Sequence, residues 1–288
     1  MVSLIDLFNP KILNVGLAIQ NADWNWAHVK SPFARLYYVK EGTAQLKMNN
    51  HLHQLTPGKM YYVPAFAEHD NICNGHFVHY YVHIYEDPGQ EVNFLDKWEL
   101  PVEVKANSYE LALFNRLHRI NPDGALQNPN PDSYNNERRL HETIQGNEKL
   151  SFTSCIESRG IILQLLARFF EQASEKQTVI DERITKAMDY IRHNINEEIS
   201  TQRLADIACV SKDHFIRLFK TETNTTPLQF VNNLKIEKAQ LLLLTSKESI
   251  RNIATSLAFF DTSYFNRIFK KITGFTPLEY RRIQDIAR

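Results

Sequence analysis

The hydrophobic pattern of this chain changes period once. Up to about residue 86 the apolar positions alternate or fall in short blocks, and beyond about residue 107 they recur every three or four positions. In the first regime Arg35–Lys40, Thr43–Met48, Leu52–Leu55, Met60–Val63 and Phe77–Tyr85 are rich in aromatic and β-branched side chains, which predicts strands. Gly42, Asn49-Asn50 and Pro57-Gly58 fall between them, where turns are needed. The last strand separates Val78, Tyr80, Val82 and Ile84 from Phe77, His79, Tyr81, His83 and Tyr85. Short, closely spaced strands predict an all-β barrel or sandwich. Two unlike faces on one strand suit a small barrel with a partly polar lumen.

The second regime is helical. Asn107–Arg119 is one expected helix, Asn136–Gly146 another, and the Pro- and Asn-rich stretch between them reads as a loop. Ser151–Ala173 is a long helix whose wide stripe (Ile156, Ile161, Leu163, Leu165, Leu166, Phe169, Phe170) suits packing on the barrel or on a second chain equally well. The polar run ASEKQT at 173–178 reads as a linker. The expected organisation is a barrel over 1–106, a helical dimerising or connecting segment over 107–175, and an all-helical domain over 176–288.

Within that last domain one element occurs twice. SKDHFIRLFKTETNTTPLQF (211–230) and DTSYFNRIFKKITGFTPLEY (261–280) share Phe215/Phe265, Arg217/Arg267, Phe219/Phe269, Lys220/Lys270, Thr223/Thr273, Thr226/Thr276, Pro227/Pro277 and Leu228/Leu278. Self-similarity at a fixed offset marks one supersecondary unit used twice. Gln202–Cys209 with Ser211–Thr223, and Ile250–Ala258 with Thr262–Thr273, read as two helix-turn-helix units. An entry helix at Ile184–Asn194 precedes them, and a connector helix at Pro227–Leu244 joins them. Pro227 and Pro277 stand at first helical turns, where a missing N–H is harmless. Ser211 and Asp261 stand at N-caps.

The periodicity sends Phe215, Leu218 and Phe219 inward in the first copy, and Phe265, Ile268, Phe269 and Ile272 in the second. Lys212, Asp213, Ile216, Arg217 and Lys220 are left on the outer stripe of one, and Thr262, Ser263, Asn266, Arg267 and Lys270 on that of the other. Guanidinium, amide and small hydroxyl groups on one helical stripe are what base edges in a major groove require. Lys220 and Lys270 lie further along, better placed for phosphate. Taken singly, each of these side chains also fits a solvated helix face. The stripe, however, recurs in register.

Charge sharpens this picture. The chain is neutral overall, but residues 181–288 hold 17 Lys and Arg against 13 Asp and Glu, and residues 1–180 hold 16 against 20. A basic C-terminal part fits a polyanion partner. Cys73, Cys155 and Cys209 are far apart, which argues against a disulfide framework or a zinc site and for a cytoplasmic location. The N-terminal run is interrupted by Asp6, Pro10 and Lys11, unlike a signal peptide. The stretch Gly160–Phe170 is too short to span a bilayer.

Residues 183–283 resemble the DNA-binding domain of AraC/XylS-type transcription regulators. The resemblance rests on LADIACVSKDHFIRLFK, TTPLQFVNNLKIEKAQLLL and SIRNIATSLAFFDTSYFNRIFKKITGFTPLEYRR. It implies two helix-turn-helix motifs on a long helix, entering successive major grooves roughly 34 Å apart. The implied base readers are Asp213, Ile216, Arg217, Ser263, Asn266 and Arg267. Two positions depart from the family pattern: Asn224 and Ala258 stand where glycine is usual.

The same family often carries an N-terminal cupin-like barrel, and RLYYVKEGTAQL, LTPGKMYYVPAFAEH and HYYVHIY are similar to one. The resemblance implies a homodimeric activator that answers to a small molecule such as a sugar and contacts RNA polymerase. Trp24, Trp26, Tyr37, Tyr38, Tyr62, His79, Tyr81 and His83 are the candidate effector contacts, since aromatic walls with polar tips make small-molecule sites. Each of them also fits an ordinary barrel core. Three alternatives stand beside this reading: a non-sensing dimeric regulator, a metal-dependent cupin enzyme, and a DNA-repair alkyl acceptor. No cofactor is expected. His28 and the His51/His53 pair lack a ligand set, and His79 and His83, four residues apart on one strand, stand roughly 13 Å apart, too far for one ion.

Overall fold

The computed structural model describes residues 8–86, 94–126, 128, 130–131, 150–175 and 181–282. The helix expected over Asn136–Gly146 and the last residues of the expected linker lie outside these. The chain forms two compact units, one ending at Glu175 and the other holding the described residues from Asp181 onward.

The first unit is built on antiparallel strands: β1 (Pro10–Asn21), β2 (Trp26–Val29), β3 (Ala34–Gly42), β4 (Ala44–Met48), β5 (His51–Leu55), β6 (Lys59–Val63), β7 (His69–Ile72), β8 (His76–Glu86), β9 (Trp98–Glu99), β10 (Glu103–Lys105) and β11 (Ser174–Glu175). They form a five-stranded sheet in the order β1-β8-β3-β6-β10 and a four-stranded sheet in the order β2-β7-β4-β5. The short β9 and β11 pair with each other. Ser174 and Glu175, expected in a linker, are therefore part of this unit's sheet structure.

Side chains alternate across the five-stranded sheet as β8 predicted. Tyr80, Val82 and Ile84 join Leu36, Tyr38 and Tyr62 in one core with the helices α1 (Ser108–Ile120) and α2 (Phe152–Phe170). Phe114, Leu117, Ile162, Leu165 and Phe169 supply the helical side of that core. The long helix thus packs on the barrel through its stripe, while Phe152 and Ile156 at its start stay exposed. Phe77 and Tyr81 face the other way, into a second core with Trp24, Tyr37, Leu46 and Tyr61.

β1 was not legible in the sequence. It pairs with β8 from Pro10↔Glu86 to Asn21↔His76, and its lumen positions Asn14, Gly16 and Gln20 are polar or small, which masks the strand pattern. Gly16 is required where it stands. A Cβ there would lie 2.4 Å from the Tyr81 hydroxyl oxygen, so the glycine lets the ring of its cross-strand partner fold over the strand.

The second unit is helical: α3 (Glu182–His193), α4 (Thr201–Ile207), α5 (Lys212–Thr223), α6 (Pro227–Thr245), α7 (Ile250–Ser256), α8 (Thr262–Thr273) and α9 (Pro277–Arg282). It has two small cores. Ile184, Ile191, Leu204, Phe215, Phe219 and Val231 form one; Ile236, Ala239, Leu243, Ile253, Phe265 and Phe269 form the other. The connector α6 supplies side chains to both. Ile272, expected in the second core, is 40% exposed, because the last turn of α8 runs past the cluster that ends at Phe269.

Candidate nucleic-acid interface and barrel cavity

The repeat in sequence is a repeat in hydrogen bonding. Ser211 Oγ accepts from His214 N–H at the start of α5, and Asp261 Oδ1 accepts from Tyr264 N–H at 2.7 Å at the start of α8. Such caps are worth about 1 kcal/mol each. The hydroxyl of Thr223 reaches Phe219 O at 2.7 Å and Thr225 O at 3.1 Å. That of Thr273 reaches Phe269 O at 2.8 Å and Phe275 O at 3.0 Å. Both α5 and α8 then end in a left-handed residue, Asn224 at φ 56° and Gly274 at φ 85°. Thr226 and Gln229 form a reciprocal capping box that opens α6, and Thr276 and Glu279 form the same bonds at α9. The Thr-Pro-Leu identities are therefore the joint that turns the chain out of α5 and α8.

The ring pairs match as well. Phe215–Phe219 and Phe265–Phe269 lie 5.5 and 5.6 Å apart, and Phe219–Phe230 and Phe269–Tyr280 are edge-on at 5.5 and 5.2 Å. These aromatic clamps fix which stripe of each helix faces inward, and hence which faces solvent.

The solvent stripes carry most of the expected side chains. Lys212, Asp213, Arg217 and Lys220 are exposed on α5, and Ser263, Arg267 and Lys270 on α8; Ile216, Thr262 and Asn266 are half-buried. Among the described residues no ion pair engages Lys212, Arg217, Lys220, Arg267 or Lys270. Five cations left free on two helices are available to phosphate or base edges. The Arg267 guanidinium lies 5.3 Å from the centre of the Tyr264 ring, whose hydroxyl accepts from Asn232 Nδ2 at 3.3 Å. The connector helix thus steadies the ring that supports Arg267. The Asn266 carboxamide oxygen is buried without a hydrogen-bond partner. Asp213 sits in the first turn of α5, where its charge also favours the helix N-terminus.

Sequence reasoning missed Phe260, which is 98% exposed and directly precedes the Asp261 cap. It is an extra residue of the second copy. Val210 N–H and Phe259 N–H make the same bond, to Ala205 O and Ala254 O, so the chain reaches Ser211 after Val210 but Phe260 after Phe259. The offset between the copies is 49 residues before this point and 50 after it, and that step was the available signal. His214 and Lys271, also unassigned, are exposed on the same two helices.

The barrel of the first unit holds a cavity of about 270 Å³ lined by Leu17–Gln20, Asp23, Trp24, Tyr37, His79, Tyr81, His83, Ala125 and Leu126. Five of the eight expected contacts line it: Trp24, Tyr37, His79, Tyr81 and His83. Trp24 stacks on Phe77 at 5.5 Å and lies 5.0 Å from His79. The Tyr81 hydroxyl accepts from Leu126 N–H at 2.7 Å. Burial drives the His79 pKa down to about 3 and that of His83 well below its ordinary value, so both rings are neutral. Tyr38 and Tyr62 correct the expectation. They occupy the outer face of the sheet, 5.6 Å from Phe114 and 5.9 Å from Phe169, because the pleat sends alternate residues to opposite sides. Trp26 packs at the edge of the inner core without lining the cavity. Among the described residues no three His, Cys, Asp or Glu side chains converge as metal ligands, and no helix is long and apolar enough to cross a membrane.

Residues 204–283 match the family model described as "Helix-turn-helix domain". The chain is 25% identical over 264 residues to the uncharacterized HTH-type transcriptional regulator YisR of Bacillus subtilis, covering 89% of this chain and 88% of that one. It is 30% identical over 135 residues to the arabinose operon regulatory protein of Escherichia coli, covering 44% of this chain and 46% of that protein. Among solved structures, the C-terminal domain of AraT, a response regulator from Geobacillus stearothermophilus, is similar at 26% identity and a TM-score of 0.36, covering 37% of this chain and 88% of that one. Residues 204–283 thus carry a helix-turn-helix domain, and the chain is similar to regulators of the AraC/XylS type.

Proposed function

We propose that α5 and α8 read two successive major grooves on one face of a promoter, and that the barrel cavity takes a small-molecule effector whose binding promotes activation. The observation that carries the first part is the duplicated joint, with its caps, threonine bonds and aromatic clamps. It leaves two cation-bearing stripes in equivalent settings. Arg217 and Arg267 are assigned to base or phosphate contact, Asp213, Ile216, Ser263 and Asn266 to the base edges, Lys212 and Thr262 to the helix starts, and Lys220 and Lys270 to phosphate. The effector reading is supported by an aromatic-walled cavity with a few polar groups. The arabinose operon relative suggests a sugar or sugar-like molecule. Homodimerisation is supported by the exposed Phe152 and Ile156 on α2, and contact with RNA polymerase follows from an activating role.

The experiment that tests the DNA reading is selection from a random duplex pool by the full chain. Recovered sites should hold two short elements about one helical turn, roughly 10 base pairs, apart. Recovery of a single element, or of no consensus, contradicts it.

A further inference from the structure

The lumen of the barrel holds a positive charge that no described carboxylate neutralises. Arg35 on β3 is completely buried, and it stands directly opposite His83 on β8. Its Nη2 donates to Ser31 Oγ at 2.6 Å, and its guanidinium carbon lies 4.9 Å from the centre of the Phe33 ring. Its Nε and Nη1 have no hydrogen-bond partner, and among the described residues no carboxylate forms an ion pair with it. Buried charge without a counterion is strongly disfavoured in a folded protein unless something else compensates it.

The described neighbours of Arg35 do not compensate it. His69 on β7 and His83 on β8 are both held neutral, chiefly by burial and then by the Arg35 charge itself. His69 Nε2, Asn71 Oδ1 and His79 Nδ1 are also buried without partners. The inner faces of β3, β7 and β8 therefore present a cluster of unsatisfied polar atoms around one guanidinium. Buried polar atoms without protein partners call for a polar guest, water or ligand, to satisfy them. His83 forms part of the cavity wall, which brings the charge within one cross-strand pair of the cavity. The acid in the cavity lining, Asp23, lies on an exposed stretch of chain and accepts from Asn21 N–H at 2.9 Å. The cavity volume is close to the roughly 300 Å³ at the lower end of small-molecule sites.

We infer that the cavity selects an anionic small molecule, a carboxylate of sugar-acid size. Its carboxylate sits at the His83 end in the field of Arg35, and its body lies against Trp24 and Tyr37. In a low-dielectric lumen an uncompensated cation favours an anion over its neutral isostere. The inference rests on the reading of the barrel cavity as an effector site.

The test uses the full chain and matched probes at equal ionic strength: glucuronate against glucose, galacturonate against galactose, xylonate against xylose. Thermal unfolding is followed for the parent, for Arg35→Met, and for Ala18→Leu, which fills the cavity and leaves Arg35 in place. At least one acid should raise the parent melting temperature by several degrees, as binding to the native state alone requires, while its neutral partner does not. Both variants should lose that response, and Arg35→Met without probe should melt no lower than the parent. A neutral sugar that stabilises the parent as well as its acid, and loses its effect in Ala18→Leu, overturns the anionic class and leaves the effector reading standing. Silence from every acid, or an acid response that survives Arg35→Met, overturns the inference.

Discussion

The ammonium group of Lys235 lies 3.2 Å from the carbonyl oxygen of Ala258, in the turn of the second helix-turn-helix. The same nitrogen lies 3.0 Å from Glu197 O, ahead of the first. Lys235 is on α6 and only 4% exposed, so one buried side chain ties the connector to both helix-turn-helix units. Phe259, whose ring centre is 5.5 Å away, covers it.

This tie makes stability depend on alkaline pH. Burial lowers the Lys235 pKa from 10.5 to about 8 in the fold. Between pH 8 and the unfolded value the unfolded chain binds more protons, so the Lys235 contribution to stability grows as pH rises. Denaturant unfolding of the parent and of Lys235→Met from pH 7 to 10 should show the difference between them moving in the parent's favour. Parallel curves contradict this.

Ala258 carries strain. Its φ is 48°, a left-handed conformation that costs a residue with a Cβ roughly 1–2 kcal/mol. Ala258→Gly should therefore raise the stability of the second unit by about 1 kcal/mol while keeping the carbonyl that Lys235 contacts. A fall in melting temperature contradicts it. Asn224, at φ 56°, should gain less from glycine because asparagine tolerates this region.

The barrel should be sensitive to acid. His69, His79 and His83 are neutral in the fold, with pKa values lowered to about 3 for the first two and well below 6.5 for the third. The unfolded chain protonates all three near 6.5, so stability present above that pH is lost progressively below it. The urea midpoint, followed by tryptophan fluorescence, should fall between pH 6.5 and 4.5, and more gently in His79→Phe. Equal slopes count against it.

Phe260 should matter to DNA and not to folding. Its exposed ring contributes no core contact, so Phe260→Ser should alter stability by less than about 0.5 kcal/mol. Its position at the tip of α8 lets it cover a deoxyribose or a thymine methyl, and losing that burial should weaken binding by roughly 1 kcal/mol. Anisotropy titration on a selected site decides; unchanged affinity removes Phe260 from the interface.

The C-terminal fold was legible because local and global signals agree there. Cap, stripe, joint threonine and proline all recur in both copies, and the helix limits fall within two residues of their expected places. The barrel was less legible. Alternation located β8 and its faces, but β1 hides behind Asn14, Gly16 and Gln20, which are lumen positions rather than breaks. The short β7 hides in the same way, because its inward residues are His69 and Asn71. Aromatic content alone could not separate Tyr37 from Tyr38. Only the pleat, fixed by pairing with β6 and β8, puts one on the cavity and the other under Phe114. Arg35, the first residue of an expected strand, is fully enclosed, which strand patterning alone does not reveal.

The central claim is most directly tested by titrating a selected duplex with the parent, Arg217→Ala and Arg267→Ala over a range of salt concentrations. Each arginine change should weaken binding by about 1–3 kcal/mol on the cognate site and much less on random DNA. The Arg217 and Arg267 losses should map to different elements of the site, while the parent affinity falls steeply with salt. Unchanged cognate affinity in both variants contradicts it.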